Sequence, residues 1–368
     1  MKRLVNVTNL LKNKCFYKNI LFCFVPFILI CRPSAASAAP APAPEALTVR
    51  QAVGLAMQRS GEIKTINENI SLADRDRPAL WQSMEAAFTG EQMIDVAAAL
   101  MQTDMQRASL ESSAPLQRRM IELSVIRYFG AVLSVERELS LYDIKMDMTR
   151  KKYEISQTMH QLGHMDDGAF KAETLDFERE AAGRNAKENA VDNAYRVLNR
   201  LLGVFDIEKR YTLILDAEYR PVKERHLPGY VRDSVRNSIR IKNKENELKA
   251  AAFNMNNNRG AGRFAENEAV YIQTERALSD MKDEMDLKIR ACYNDLKTLE
   301  ATYGAYEVEL TKINAQITVS ETLVELGKIT QLELDALICQ AKAVEYAMAD
   351  LVNDHFVRAM QFDFPDLL

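Results

Sequence analysis

A seam of apolar and small residues spaced alternately four and three apart runs through this chain twice. The first copy reads Ile121, Val125, Tyr128, Val132, Val135, Leu139, Tyr142, Met146, Thr149, Tyr153, and ends at Leu162-Gly163. The second reads Leu299, Tyr303, Tyr306, Leu310, Ile313, Ile317, Ser320, Val324, and ends at Leu326-Gly327. The offset that carries Gly163 onto Gly327 also carries Val135, Leu139, Tyr142, Met146, Thr149 and Tyr153 onto members of the second copy. The two halves are in register.

A 3.5-residue repeat keeps one seam against a partner only if the helices wind left-handedly around each other. Each half therefore predicts a long helix out, a turn at its glycine and a helix back. The expected fold is all-α, two tandem coiled-coil hairpins with little or no β structure. Glycine suits the turn because it enters the left-handed region without a Cβ penalty. Behind the turns, Asp166, Asp167 and Thr330 supply caps for the returning helices. At 1.5 Å per residue the outgoing helices extend about 70 Å from Leu116 to Gly163 and about 90 Å from Ala265 to Gly327.

A second internal match, at a slightly larger offset, sets residues 56–64 against 234–242, each a short amphipathic helix, a polar break and a new helical start. The first half is thus the longer of the two between this motif and its glycine. The organisation read from these matches is a first repeat over 47–203, a linker over 204–226 and a second repeat over 227–368. Gly203 closes the first repeat as a helix C-cap, residues 211–215 form a short extended segment, and Pro221 and Pro228 mark the linker.

Residues 1–38 combine a basic start, an apolar run from Ile20 to Cys31 and Ala36-Ser37-Ala38, which together read as a signal peptide. An uncleaved anchor is the other reading, although the run is shorter than the ~20 residues that span a bilayer. Cys31 invites lipidation, but Ile30 stands where the processing peptidase wants a small residue. Residues 39–46 form an Ala/Pro spacer of extended character. Removal of the signal leaves 42 of the 48 Lys and Arg against 52 Asp and Glu, a net charge of −10 that argues against nucleic acid as a partner. Cys292 and Cys339, far apart along one hairpin, read as small buried hydrophobes.

The line from Leu47 to Ala56, the tyrosine-rich heptads, the two Leu-Gly turns and Leu201-Leu202-Gly203 together resemble the TolC family of outer-membrane efflux proteins, over nearly the whole mature chain. The resemblance implies a homotrimer whose hairpins form an α-helical barrel across the periplasm. It implies a passive conduit in a tripartite efflux or type I secretion system, served by an inner-membrane pump through a periplasmic adaptor. Members that cross the outer membrane insert two pairs of strands, and a spanning strand needs ~9–11 alternating residues. Here residues 73–113 show helical spacing punctuated by Pro78 and Gly90, residues 254–262 read as a loop, and residues 269–273 are too short. The barrel is therefore expected to be missing. That leaves residues 73–113 either in contact with a membrane or packed on the tube, and it keeps a non-conducting envelope scaffold as the alternative function.

The resemblance points to Leu162, Gly163, His164 and Met165, and to Leu326, Gly327, Lys328 and Ile329, as adaptor-docking tips; the plainer reading is an ordinary helix turn. It places Glu333 at the inner mouth with Asp335 nearby, where a ring of carboxylates would repel itself upward in pKa and select cations. A solvated helix face is the competing account. Ile329 replaces the arginine that latches the mouth in some relatives. His160 and His164, four apart, have the spacing of a metal pair, but Gly163 breaks the helix between them. Neither a metal nor a cofactor is implied. With no nucleophile constellation and no Gly-rich phosphate loop, no enzymatic activity is expected.

Overall fold

The computed structural model describes residues 45–215, 218–223, 226–257 and 263–368. The segment read as a signal peptide, Cys31 and residues 39–44 of the spacer lie outside the described residues.

The described chain is almost entirely helical, in the order β1 (Glu45–Thr48), α1 (Val49–Arg59), α2 (Gly61–Glu85), α3 (Gly90–Gln161), α4 (Asp167–Leu202), β2 (Tyr211–Ile214), α5 (Leu227–Asn237), α6 (Ile239–Asn257), α7 (Phe264–Glu325) and α8 (Gln331–Asp363), closed by a 3-10 turn at Pro365–Leu367. α3 packs on α4 and α7 on α8, the two coiled-coil hairpins of the all-α expectation.

The upstream repeat recurs in the helix starts. Thr48 and His226 cap α1 and α5, and Ser60 and Ser238 cap α2 and α6, both pairs at the offset that relates residues 56–64 to 234–242. The serine hydroxyls accept from Ile63 N at 3.3 Å and Ile241 N at 3.2 Å. A side-chain acceptor at this position satisfies an amide that has no partner inside the helix.

Each half has its own core where its short helices meet its long pair. Val125, Phe129, Val132, Tyr195, Leu198 and Leu202 fill the first, and Ile289, Cys292, Leu296 and Phe362 fill the second. Ile121 and Met285, Val125 and Ile289, and Val132 and Leu296 are buried counterparts, each pair at the offset of the two turn glycines. Cys292 and Cys339 are free and buried, as small hydrophobes are.

Several sequence expectations need correction. Tyr128 does not join the seam: its ring is exposed and the neighbouring Phe129 is fully buried, because α3 here faces α1 and α8 as well as α4. Pro78 does not punctuate a helix but lies inside α2, and Pro115, just before the expected hairpin start at Leu116, lies inside α3. α3 therefore runs 72 residues from Gly90. An internal proline removes one helix hydrogen bond, and α2 is held along α3 in the turn before Pro78 by Arg107–Asp74 at 2.5 Å and Arg77–Asp104 at 2.7 Å. Residues 254–257, assigned to a loop, end α6, while 258–262 lie outside the described residues. Residues 269–273 belong to α7. Glu45 and Ala46, the end of the spacer, pair in parallel with Tyr211 and Thr212.

Among the described residues no helix is long and apolar enough to cross a membrane.

Candidate functional site

The two hairpin turns are built alike. At the first, Gly163 takes φ 74°, its amide donates to His160 O at 3.0 Å and the amide of His164 donates to Met159 O at 2.8 Å. At the second, Gly327 takes φ 65°, its amide donates to Val324 O at 2.9 Å and that of Lys328 to Leu323 O at 2.8 Å. This paired return satisfies the last carbonyls of a helix and needs a left-handed residue. Nothing lies within 4 Å of a Cβ added at either glycine, so backbone conformation alone requires it.

Three residues on, Asp166 accepts from Ala169 N at 2.9 Å, and Thr330 accepts from Glu333 N at 3.3 Å. Leu162 and Leu326 are 66% and 63% exposed. Gly163, His164, Gly327 and Lys328 are exposed too, while Met165 and Ile329 are half-buried. Each turn thus presents a leucine to solvent beside a glycine with no side chain to block an approaching surface.

His160 bonds Asp167 at 2.7 Å and stacks on Phe170 at 4.6 Å, bracing the turn from inside. Among the described residues no group of three or more His, Cys, Asp or Glu is placed to hold a metal.

Glu333 closes a capping box: its carboxylate accepts from the amide of Thr330 at 2.7 Å and from its hydroxyl at 2.9 Å. Those bonds, the backbone one first, hold its pKa below the usual carboxylate value. Within one chain the direction is thus opposite to that of a self-repelling ring. Asp335 accepts from Lys151 of α3 at 2.5 Å and from Gln331 at 2.9 Å, and the lysine bond is the first cause of its lowered pKa.

Lys151–Asp335 belongs to a row of polar links between the hairpins that sequence reading missed. Arg137 donates to Asp350 at 2.6 Å, Ser134 donates to Asp350 at 3.1 Å, and the hydroxyls of Ser140 and Tyr346 meet at 3.1 Å. These α3 residues lie outside the seam that faces α4. Only the alternation of a second heptad face on α3 could have signalled them.

With this arrangement in place, likeness to known structures decides the fold. The chain superposes on CusC, from a study of transmembrane channel formation, with TM-score 0.65 and 11% identity over 87% of this chain and 91% of that one. The fold is that of the TolC-family outer membrane channels. The outer membrane protein VceC from Vibrio cholerae matches at TM-score 0.60 and 12% identity, over 86% and 94% of the two chains. The CmeC outer membrane channel of Campylobacter jejuni matches at TM-score 0.64 and 10% identity, over 85% and 84%. No family model and no curated protein matches the sequence. The TolC-like fold persists in this chain at an identity where sequence comparison by itself is silent.

Proposed function

We propose that this chain is a TolC-family outer channel component, a passive trimeric conduit of a tripartite efflux or type I secretion system, exported to the cell envelope. The observation that carries the reading is the fold: two long antiparallel hairpins in tandem, ending in turns of matching construction. A four-helix protomer of this length leaves helix faces bare that a ring of copies would cover.

In this reading the exposed turns, Leu162 to Met165 and Leu326 to Ile329, dock a periplasmic adaptor, which links the conduit to an inner-membrane pump. A small exposed anchor beside a glycine gives the close approach such a contact needs. Glu333 and Asp335 lie close behind the second tip and would set the charge of the inner mouth. Membrane contact at the other end would use the α2–α3 turn, where Phe88 is 95% exposed.

The test is the mass and outline of the purified mature chain, by light scattering and negative-stain imaging in mild detergent. A hollow trimer roughly 100 Å or more long, the span set by helix rise, is expected. A monomer or solid bundle in all conditions would overturn the conduit and leave an envelope scaffold.

A further inference from the structure

From Pro78 to Gln106 the chain carries no Lys, Arg or His, and every charged residue there is acidic. The same segment holds Met84, Met93, Met101, Met105 and the chain's only tryptophan, Trp81. It spans the end of α2 and the start of α3.

The fold brings three of these methionines together. The ion pairs Arg107–Asp74 and Arg77–Asp104 fix the antiparallel register of α2 on α3. Continued along the helices, that register sets Trp81 level with Leu100 and Met84 level with Ala97. Long helical side chains lean toward the N-terminus of their own helix. On antiparallel helices the lean carries Met84 toward the level of Leu100, and it carries Met105 toward that level from the other side. Met101 lies next to it, four residues from Met105 and on the same helix face. Met84, Met101 and Met105, all half-buried, line one cavity of about 420 Å³, and Trp81, which lines it with them, is 45% exposed.

We propose that Met84, Met101 and Met105 form a binding site for a soft monovalent metal ion, Cu(I) or Ag(I). A thioether sulfur is a soft donor that favours such ions over Mg, Ca or Mn. Asp104, the carboxylate in the lining, is already held by Arg77 at 2.7 Å, which leaves the sulfurs as the donor set. A surround of acidic charge with no basic residue raises the local concentration of any cation. Thioethers have no proton to lose on binding, unlike thiols and imidazoles, so the site takes its ion at the same strength wherever histidine titrates. It lies within one chain and does not depend on how copies assemble.

A bound ion would tie α2 to α3 on the far side of Pro78 from the two ion pairs. Anything that binds the folded form alone stabilises it, so this limb gains resistance to opening when the ion is present.

The test is a titration of the mature chain with Ag(I), read by the fluorescence of Trp81 and by the metal count in native mass spectrometry. The measurement is repeated with Cys292→Ala and Cys339→Ala combined, so that no thiolate competes. Quenching that saturates at one ion per chain is expected in both backgrounds and in Met93→Leu, whose methionine is outside the cavity lining. Zn(II) is expected to give none. Combined Met84→Leu, Met101→Leu and Met105→Leu, swaps that nearly conserve volume, should keep the helix content and abolish both the quenching and the bound ion. Each single replacement should weaken binding several-fold. An unquenched parent chain, quenching that survives the triple replacement, or quenching that vanishes in the cysteine-free background would each overturn the site.

Discussion

The side chain of Asn353 on α8 lies against the bare Cα of Gly130 on α3, so close that a Cβ there would overlap its amide nitrogen. Helix propensity alone would favour alanine over this glycine by roughly 1 kcal/mol. The contact reverses the sign. Gly130→Ala is expected to lower stability by roughly 1–3 kcal/mol through overpacking, read from urea unfolding. In an Asn353→Ala background the same change should recover most of that loss. A stabilised single variant would mean that the two helices do not meet here.

Tyr142 repeats the device across the first hairpin. Its hydroxyl stands over Gly183 and donates to the carboxylate of Glu180 at 2.6 Å. That bond, with burial second, pushes its pKa up to about 12. A raised folded pKa contributes stability that is complete below the ordinary tyrosine value of 10.0 and is lost as pH rises through about 12. Ultraviolet titration should show Tyr142→Phe differing from the parent only near the upper limit, and a difference near 10 would break the assignment.

Asp335 titrates in the other direction. Because Lys151 holds its pKa below the ordinary aspartate value of 3.8, its contribution is complete above that value and fades as pH falls further. Asp335→Asn should mimic strong acid at neutral pH and widen the distance distribution between spin labels at His164 and Lys328. Its effect on global stability should stay under about 1 kcal/mol, since Lys151 is largely solvated. An unchanged distribution would show that this pair does not hold the tips together.

Gly163 and Gly327 separate folding from docking. Replacement of either by alanine forces a side chain into the left-handed region, at a cost of roughly 1–2 kcal/mol, whereas asparagine tolerates it better. Calorimetry should rank Gly163→Ala below Gly163→Asn, with Gly327 alike. An asparagine variant that melts like the parent but no longer captures an adaptor would assign the glycine to contact; one that captures it normally would leave it only the turn.

Burial pushes the Cys292 thiol up to about 11, and Cys339 is buried as well. A thiol reagent at mildly alkaline pH should find both slow to react in the native protein and both open in denaturant. Fast labelling of Cys292 without denaturant would mean that the second core opens easily.

The seams and glycines made the hairpins legible, because a heptad and a left-handed residue each act over a few neighbouring positions. Tertiary contact hid the rest. Pro78 read as a break and Leu116 as a helix start, but Pro78 and Pro115 lie inside helices held by partners remote in sequence. The 2.5 Å pairing of Lys151 with Asp335 spans 184 positions, and each residue alone looks like a solvated charge. Glu45 and Ala46 gave no strand signal, since their partners lie at Tyr211 and Thr212. At the candidate site, the turns could be read from local spacing. The pKa direction of Glu333 could not, because it depends on a capping bond to Thr330.

The helices α2 and α6 leave matching serine caps, yet α2 runs 25 residues and α6 19. The surplus in the first limb is close to two turns, roughly 9 Å at 1.5 Å per residue. Over the described residues, α2 therefore outreaches α6 from matching starts. The longer limb carries the exposed ring of Phe88 at its turn, so each copy in the proposed ring would offer an approaching surface one aromatic point of contact.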